Sequence, residues 1–338
     1  MARRVTITDV AQEAGVSVAT VSKVINRRDG IARGTAAHVQ AVVDRLGYEQ
    51  SIVARSLRSH RTHVIGVLVA EFEPFSTEIL KGAGTALAGT DYALLAYTGG
   101  GSGRPGWERR YLTRLSGTLI DGAVLVTPTV VDAAVEVPVV AVDPHAGPGG
   151  LPTVDSDNLH GAVLATRHLI GLGHRRIGFL GGRPDLESSR LREAGYRQAL
   201  AEAGLTVDPA LVRVAEYQRG GADTPTAAML ALPAPPTAIF AANDLSAMGI
   251  LDTARRLGVR VPGDLSVVGF DDIPESAATE PPLTTVRQEI QQLGGAAITL
   301  LLRQLDGTDG TEHGPSHVRL PTTLVVRGST APAPVARP

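Results

Sequence analysis

Residues 6–26 read TITDVAQEAGVSVATVSKVIN, and this stretch decides how the head of the chain folds. Val10, Ala11 and Ala14 share one face of a short helix predicted over residues 9–14. Gly15 supplies the sharp corner that a Cβ would obstruct. Ser17 is placed to cap a second helix over residues 18–26, whose buried stripe is Val21, Val24 and Ile25. A small residue (Ala11), a glycine corner (Gly15) and an apolar anchor (Val21) at these spacings predict two helices crossing steeply, the helix-turn-helix geometry. TAAHVQAVVDRL at residues 35–46 gives a third helix, with Val39, Val42, Val43 and Leu46 closing the core and Gly47 ending it.

In such a unit the second helix enters the DNA major groove and its outward residues reach base edges. Those residues are Val18 and Ala19, suited to thymine methyl groups, and Lys23, suited to guanine O6 or N7. Ser17, Thr20, Ser22 and Asn26 suit phosphate contacts, which fix register without reading sequence, and Thr6 joins them as a DNA contact. A three-helix protein-interaction module is the other reading of the same pattern. Charge argues against it: residues 1–61 hold ten Lys and Arg against five Asp and Glu, whereas the remainder holds 22 against 29. SIVARSLR at residues 51–58 is too short to nucleate a stable helix alone. It suits a segment that folds on DNA, with Leu57 as a minor-groove wedge and Arg55 and Arg58 on phosphate, although an ordinary linker helix fits it too.

With 338 residues, 43% hydrophobic and 20% charged, the chain is long enough for two or three folded units. Cysteine is absent, which excludes disulfides, thiolate nucleophiles and Cys-ligated metals. Apolar runs such as VIGVLVA at residues 64–70 are strand-length, far below the roughly 20 residues of a membrane helix. Met1 to Arg4 are followed by Asp9, Gln12 and Glu13 rather than an apolar signal core, so a cytoplasmic location is expected. No nucleophile-elbow, P-loop or HExxH pattern occurs. GLGHRR at residues 171–176 lacks the third glycine of a dinucleotide fingerprint, and His313 and His317 flank a Gly-Pro loop unsuited to a metal. Neither catalysis nor a metal or cofactor is expected.

Beyond residue 62 the chain alternates strands (64–70, 92–97, 122–126, 137–142, 176–180, 237–242, 265–270) with helices (76–89, 106–116, 158–171, 188–203, 223–231, 243–257, 287–305). Continuous apolar strands between helices predict parallel sheets covered on both faces, and the pattern restarts near 175, suggesting two similar subdomains. GGGSGRPG at residues 99–106 reads as a flexible loop, and the final STAPAPVARP as a mobile tail. Ligands of such folds sit at the carboxyl ends of strands. That selects Phe75, Asp143, Arg190, Asn243, Asp244, Asp271 and Asp272, with chemistry suited to a polyol. Arg190 also reads as a surface ion-pair partner, Asn243 and Asp244 as a helix cap, and Tyr217 as a core or rim aromatic.

The run VTITDVAQEAGVSVATVSKVIN resembles the LacI family of bacterial transcriptional regulators, as do LGY at 46–48 and VARSLRSHRTHVIGVLV. The likeness continues in GHRRIGFLGG at 173–182, RLREAGY at 190–196, AIFAANDLSAMGIL at 238–251, LSVVGFDD at 265–272 and PPLTTVRQ at 281–288. The resemblance implies an all-α helix-turn-helix head (residues 1–50), a hinge (51–61) and an α/β periplasmic-binding-protein-like body of two doubly wound parallel-sheet subdomains. These would be residues 62–160 with 289–320 and residues 161–288 with 321–329, leaving a tail at 330–338. It also implies a homodimer on a near-palindromic operator, with Leu57 inserted at its centre. Phe75, Arg190, Tyr217, Asn243 and Asp271 align with effector-contacting positions, and an effector such as a sugar would change operator affinity. Ala32 stands where the family often has a serine cap, and Gln50 and Ser51 replace a frequent Pro-Asn. The competing function, a solute-binding protein of the sugar-transport type, would begin with an export signal rather than a basic helix-turn-helix.

Overall fold

The computed structural model describes residues 5–25, 29–48, 61–99, 106–116, 118–129, 137–307 and 317–334. They form two compact units, divided between Thr62 and His63.

The head unit holds helices α1 (Ile7–Glu13), α2 (Val18–Ile25) and α3 (Arg33–Leu46). The first helix begins two residues earlier than the sequence pattern predicts. Thr6 caps it, in a reciprocal box with Asp9 that satisfies the donors at the helix start. Val10, Ala11, Val21, Val39 and Val42 are buried together as one small core. Gly15 adopts φ +65° at the corner and Gly47 φ +61° at the end of α3, a backbone region that side chains disfavour. α3 begins at Arg33 after Ala32, whose side chain makes no cap hydrogen bond.

In the body, the first sheet contains β1 (Val64–Val69), β2 (Ala93–Thr98), β3 (Gly122–Val126), β4 (Val139–Val142), β5 (Thr153–Ser156) and β11 (His317–Leu320). The second contains β6 (Ile177–Gly181), β7 (Val212–Val214), β8 (Ala238–Ala241), β9 (Ser266–Asp271), β10 (Thr284–Gln288) and β12 (Thr322–Val325). Their orders are β11-β5-β4-β3-β1-β2 and β12-β10-β9-β8-β6-β7, so one topology occurs twice. Among the described residues, every strand pairing is parallel except that of β10 with β12. In each sheet the order reverses beside the first strand, between β1 and β3 and between β6 and β8. In open α/β sheets the ligand crevice lies at such a point.

The helices are α4 (Pro74–Leu87), α5 (Trp107–Leu115), α6 (Asn158–Gly171), α7 (Glu187–Glu202), α8 (Asp223–Leu230), α9 (Asp244–Arg256) and α10 (Ile290–Leu305). α4 packs on α10 beside the first sheet, and α6 packs on α7 beside the second. The chain therefore passes between the sheets three times, near 157, 289 and 321. At the α4–α10 crossing the backbones touch: a Cβ on Gly82 would lie 1.8 Å from the Gln291 carbonyl oxygen, and one on Gly294 2.2 Å from that of Ile79. Among the described residues no helix is long and apolar enough to cross a membrane.

Two expectations are corrected. The last helix starts at Ile290 rather than 287, because Arg287 and Gln288 finish β10. Residues 329–334 are not a free tail: Ser329 Oγ donates to the Val267 carbonyl (2.6 Å) and Ala331 O accepts from His174 Nε2 (3.0 Å). A carbonyl only accepts, so His174 carries its proton on Nε2 and Nδ1 accepts from Thr237 Oγ1 (2.9 Å). This buried imidazole is the physical reason the GHRR stretch holds the chain end. Residues 335–338 and the glycine-rich stretch at 100–105 lie outside the described residues.

Candidate functional site

In the head, the start of α2 is organised by Ser17, whose Oγ accepts from Thr20 N (3.1 Å) and shares a hydrogen bond with Thr20 Oγ1 (2.9 Å). Val21 is turned inward, whereas Val18, Ala19 and Lys23 are exposed on α2. Ser22 and Thr20 are half-buried. Thr6 donates its hydroxyl proton to Asp9 Oδ2 (2.7 Å), so its side chain is engaged in the cap rather than free to donate to phosphate. Asn26, Arg55, Leu57 and Arg58 lie outside the described residues.

In the body, the residues that follow strands concentrate unusual backbone. Thr127, Asp143, Tyr217, Asp271 and Asp272 all have φ between +47° and +117°. Such strain gathers where a site must be held in one geometry. Asp143 follows β4 of the first sheet; Asp271 ends β9 of the second.

Between them lies Arg192. Its Nε donates to Asn158 Oδ1 (2.8 Å), and Nη1 donates to the Ala242 carbonyl and to Asp271 Oδ1 (3.4 Å). The guanidinium lies 3.9 Å from the Phe270 ring centroid and 5.6 Å from that of Tyr217. Gln288 Nε2 donates to the same Asp271 oxygen at 2.7 Å. Burial pushes the Asp271 carboxyl up to about 7, against the opposing pull of Arg192 and Gln288. Asp143 is raised for the same reason, with Arg192, Ser188 and Asn158 working against it. Ser188 Oγ also lies 3.4 Å from Tyr217 Oη. Asp244, fully buried, accepts from Ile273 N (3.0 Å) and Thr285 Oγ1, and burial beside Asp271 holds its carboxyl well above the ordinary range.

Four of the six effector candidates named from sequence, Asp143, Tyr217, Asn243 and Asp271, are tied directly or through Arg192 into this cluster. Asn243 serves chiefly as the cap of α9, accepting from Ser246 N (2.9 Å), while its amide donates to the Tyr217 carbonyl (3.0 Å). Phe75 sits in the first turn of α4, half-buried at the end of β1. Arg190 does not join them. It is exposed, paired with Glu187 (2.7 Å) and bonded to the carbonyls of Pro184 and Asp185. Asp272 is likewise held elsewhere, by Arg287 (2.7 Å) and Arg327 (2.6 Å).

The sequence reading missed Arg192, Ser188, Asn158 and Gln288. A signal for Arg192 existed. The buried positions of α7 are 188, 189, 192, 195, 196, 199 and 200, so the stripe running back from Tyr196 and Gly195 meets Arg192 and passes Arg190 by.

Comparison with known proteins agrees with both units. Residues 6–51 match the family described as bacterial regulatory proteins, lacI family, and residues 166–330 match the periplasmic binding protein-like domain. The chain is 34% identical over 337 residues to the HTH-type transcriptional repressor CytR of Escherichia coli strain K12, covering 97% of each. The chain belongs to the LacI family. Among solved structures, the lac repressor dimer bound to operator and the anti-inducer ONPF matches with a TM-score of 0.83 at 28% identity, over 97% of this chain and 100% of that one. The transcriptional regulator CelR–cellobiose complex matches at 0.72 and 32% identity, over 96% and 100%. These relatives are transcriptional regulators rather than enzymes.

Proposed function

We propose that this protein is a cytoplasmic transcriptional repressor that binds a near-palindromic operator as a homodimer and changes its operator affinity when a sugar or sugar derivative enters the body crevice. The observation that carries the DNA-binding half is the outward face of α2, where Val18, Ala19 and Lys23 stand exposed behind the Ser17 cap. Lys23 is suited to guanine and the two small apolar side chains to thymine methyl groups. Ser17, Thr20 and Ser22 lie beside them for phosphate contacts, with Asn26, Arg55, Leu57 and Arg58 as further DNA contacts read from sequence alone.

The effector half is supported by Arg192, Asp143 and Asp271 at the strand ends, flanked by Phe75 and Tyr217. Arginine donates to adjacent hydroxyls, carboxylates accept from them, and aromatic rings cover the apolar face of a sugar. The cellobiose carried by the CelR relative is in keeping with a sugar here. Coupling between the two ligands is reciprocal: whatever factor the effector applies to operator affinity, the operator applies to effector affinity. Anisotropy of a labelled operator titrated with the full chain, with and without candidate sugars at fixed salt, tests both halves. The proposal expects at least a tenfold shift from one sugar, and the absence of any specific DNA binding contradicts it.

A further inference from the structure

Helix N-termini are the usual anion sites of α/β folds, because their free N–H groups and the helix dipole both favour negative charge. At this crevice they are already occupied by the chain itself. Glu73 lies on the start of α4, its carboxylate accepting from Phe75 N and Ser76 N, both at 2.7 Å. Asn243 fills the start of α9, and the buried Asp244 follows it at the first helical position. At the start of α7, Glu187 N donates to the His145 carbonyl (2.8 Å), and the Glu187 side chain itself stands in the first turn.

Among the described residues, the cations around the crevice are equally committed. Arg192 has Nε and Nη1 bonded to protein and its faces against Phe270 and Tyr217. Arg183 is paired with Asp185 (2.6 Å), Arg190 with Glu187, Arg287 with Asp272 and Lys81 with Glu78. His145 is driven toward its neutral form by burial and by Arg183. Against the Arg192 guanidinium stand Asp143 after β4, Glu73 at the start of α4 and Asp271 at the end of β9. The first two each oppose charge on Asp271.

Building on the reading of the crevice as an effector site, we propose that it selects an uncharged molecule rich in hydrogen-bond donors and rejects the phosphate ester or carboxylate of the same molecule. Hydroxyl or N–H groups of such an effector donate to Asp143 and Asp271, and one acceptor on it meets Arg192. A phosphate would meet carboxyl groups where it needs N–H donors, with one partly engaged arginine in place of the two or three charged contacts that hold a dianion.

The test uses the full chain at pH 7.5 and matched pairs: ribose and ribose 5-phosphate, glucose with glucose 6-phosphate and glucuronate, cellobiose and cellobionate, uridine and its 5′-monophosphate. Thermal shift finds the binders and titration calorimetry measures them. The expected result is that binders are uncharged and that each charged counterpart binds at least tenfold more weakly. Glu73→Gln, which takes the charge off the start of α4, is expected to shrink that ratio by threefold or more while leaving the uncharged member's affinity within about twofold. A charged counterpart that binds as well as its uncharged partner overturns the proposal, as does a panel with no uncharged binder. Binding that persists unchanged in Arg192→Ala places the compound elsewhere and removes the effector-site reading itself. Binding lost in Arg192→Ala but stronger for the ester leaves that reading standing and removes only the charge selection.

Discussion

Arg192 Nη1 lies 3.4 Å from Asp271 Oδ1, joining a helix of the second subdomain to the end of its central strand, with both side chains buried. Asp143 of the first subdomain feels the same guanidinium. One arginine thus relates carboxyl groups on both sides of the crevice, which is where a bound molecule has most leverage over how the subdomains sit.

Replacing Arg192 by Ala is expected to weaken effector binding by about 1.5–3 kcal/mol, roughly ten- to a hundredfold, the loss of a charged hydrogen bond. Asp271 takes up a proton in that variant instead of standing as an unpaired charge, so the chain still folds. Arg190→Ala removes an exposed pair of small energetic value and should leave effector affinity within about twofold. Calorimetry on the two variants checks this; the reverse ranking would return the site to Arg190.

The Asp271 carboxyl, raised to about 7 by burial, makes a pH prediction with a definite sign. An effector that donates to the carboxylate binds the deprotonated form, so its affinity rises from pH 6 to 8 and binding releases a proton. Without effector the sign for folding is opposite: the folded chain keeps a proton that the unfolded chain releases above about pH 4. Stability from this group therefore falls as pH climbs toward 7. Calorimetry in buffers of different ionisation enthalpy reads the proton release, and Asp271→Asn is expected to abolish it.

The start of α3 offers a gain. Ala32→Ser places a hydroxyl where the Ala32 methyl makes no cap hydrogen bond, and should stabilise the helix by about 1 kcal/mol. Amide exchange across residues 33–46 in the full chain is expected to slow about fivefold; unchanged exchange would mean another group already satisfies those donors.

Gly82→Ala should do the opposite in the body. Its methyl would meet the Gln291 backbone, which cannot rotate away, so α4 and α10 must part. Overpacking of this kind costs about 1–3 kcal/mol, read as a lower urea midpoint of the body transition. A midpoint equal to that of the unaltered chain would show that the crossing is looser than its geometry implies.

What the sequence disclosed follows from pattern length. Runs such as VIGVLV and GAVLV are buried along their whole length, so continuous apolar stretches were enough to find them. TVDS, TTVRQ and HVRL are strands too, but polar and charged residues interrupt them, so no continuous apolar run marks them. The head was legible because its core is made of neighbours. The crevice was half legible: strand ends pointed to Asp143 and Asp271, while choosing between Arg190 and Arg192 needed the helical phase set by Gly195 and Tyr196. The chain end, rich in Pro and Ala, gave no hint that His174 holds it.

The most direct test of the account is anisotropy of a labelled duplex, selected by the full chain from random DNA, measured with the unaltered chain, Lys23→Ala and Arg192→Ala across an uncharged sugar panel at fixed salt. The account predicts a specific duplex whose affinity falls by about 1–3 kcal/mol in Lys23→Ala. It also predicts one sugar that shifts the affinity tenfold or more, about 1.4 kcal/mol of coupling, with roughly ten- to a hundredfold more of that sugar needed in Arg192→Ala. Failure to select any duplex, or a duplex whose affinity ignores both Lys23 and every ligand, would contradict it.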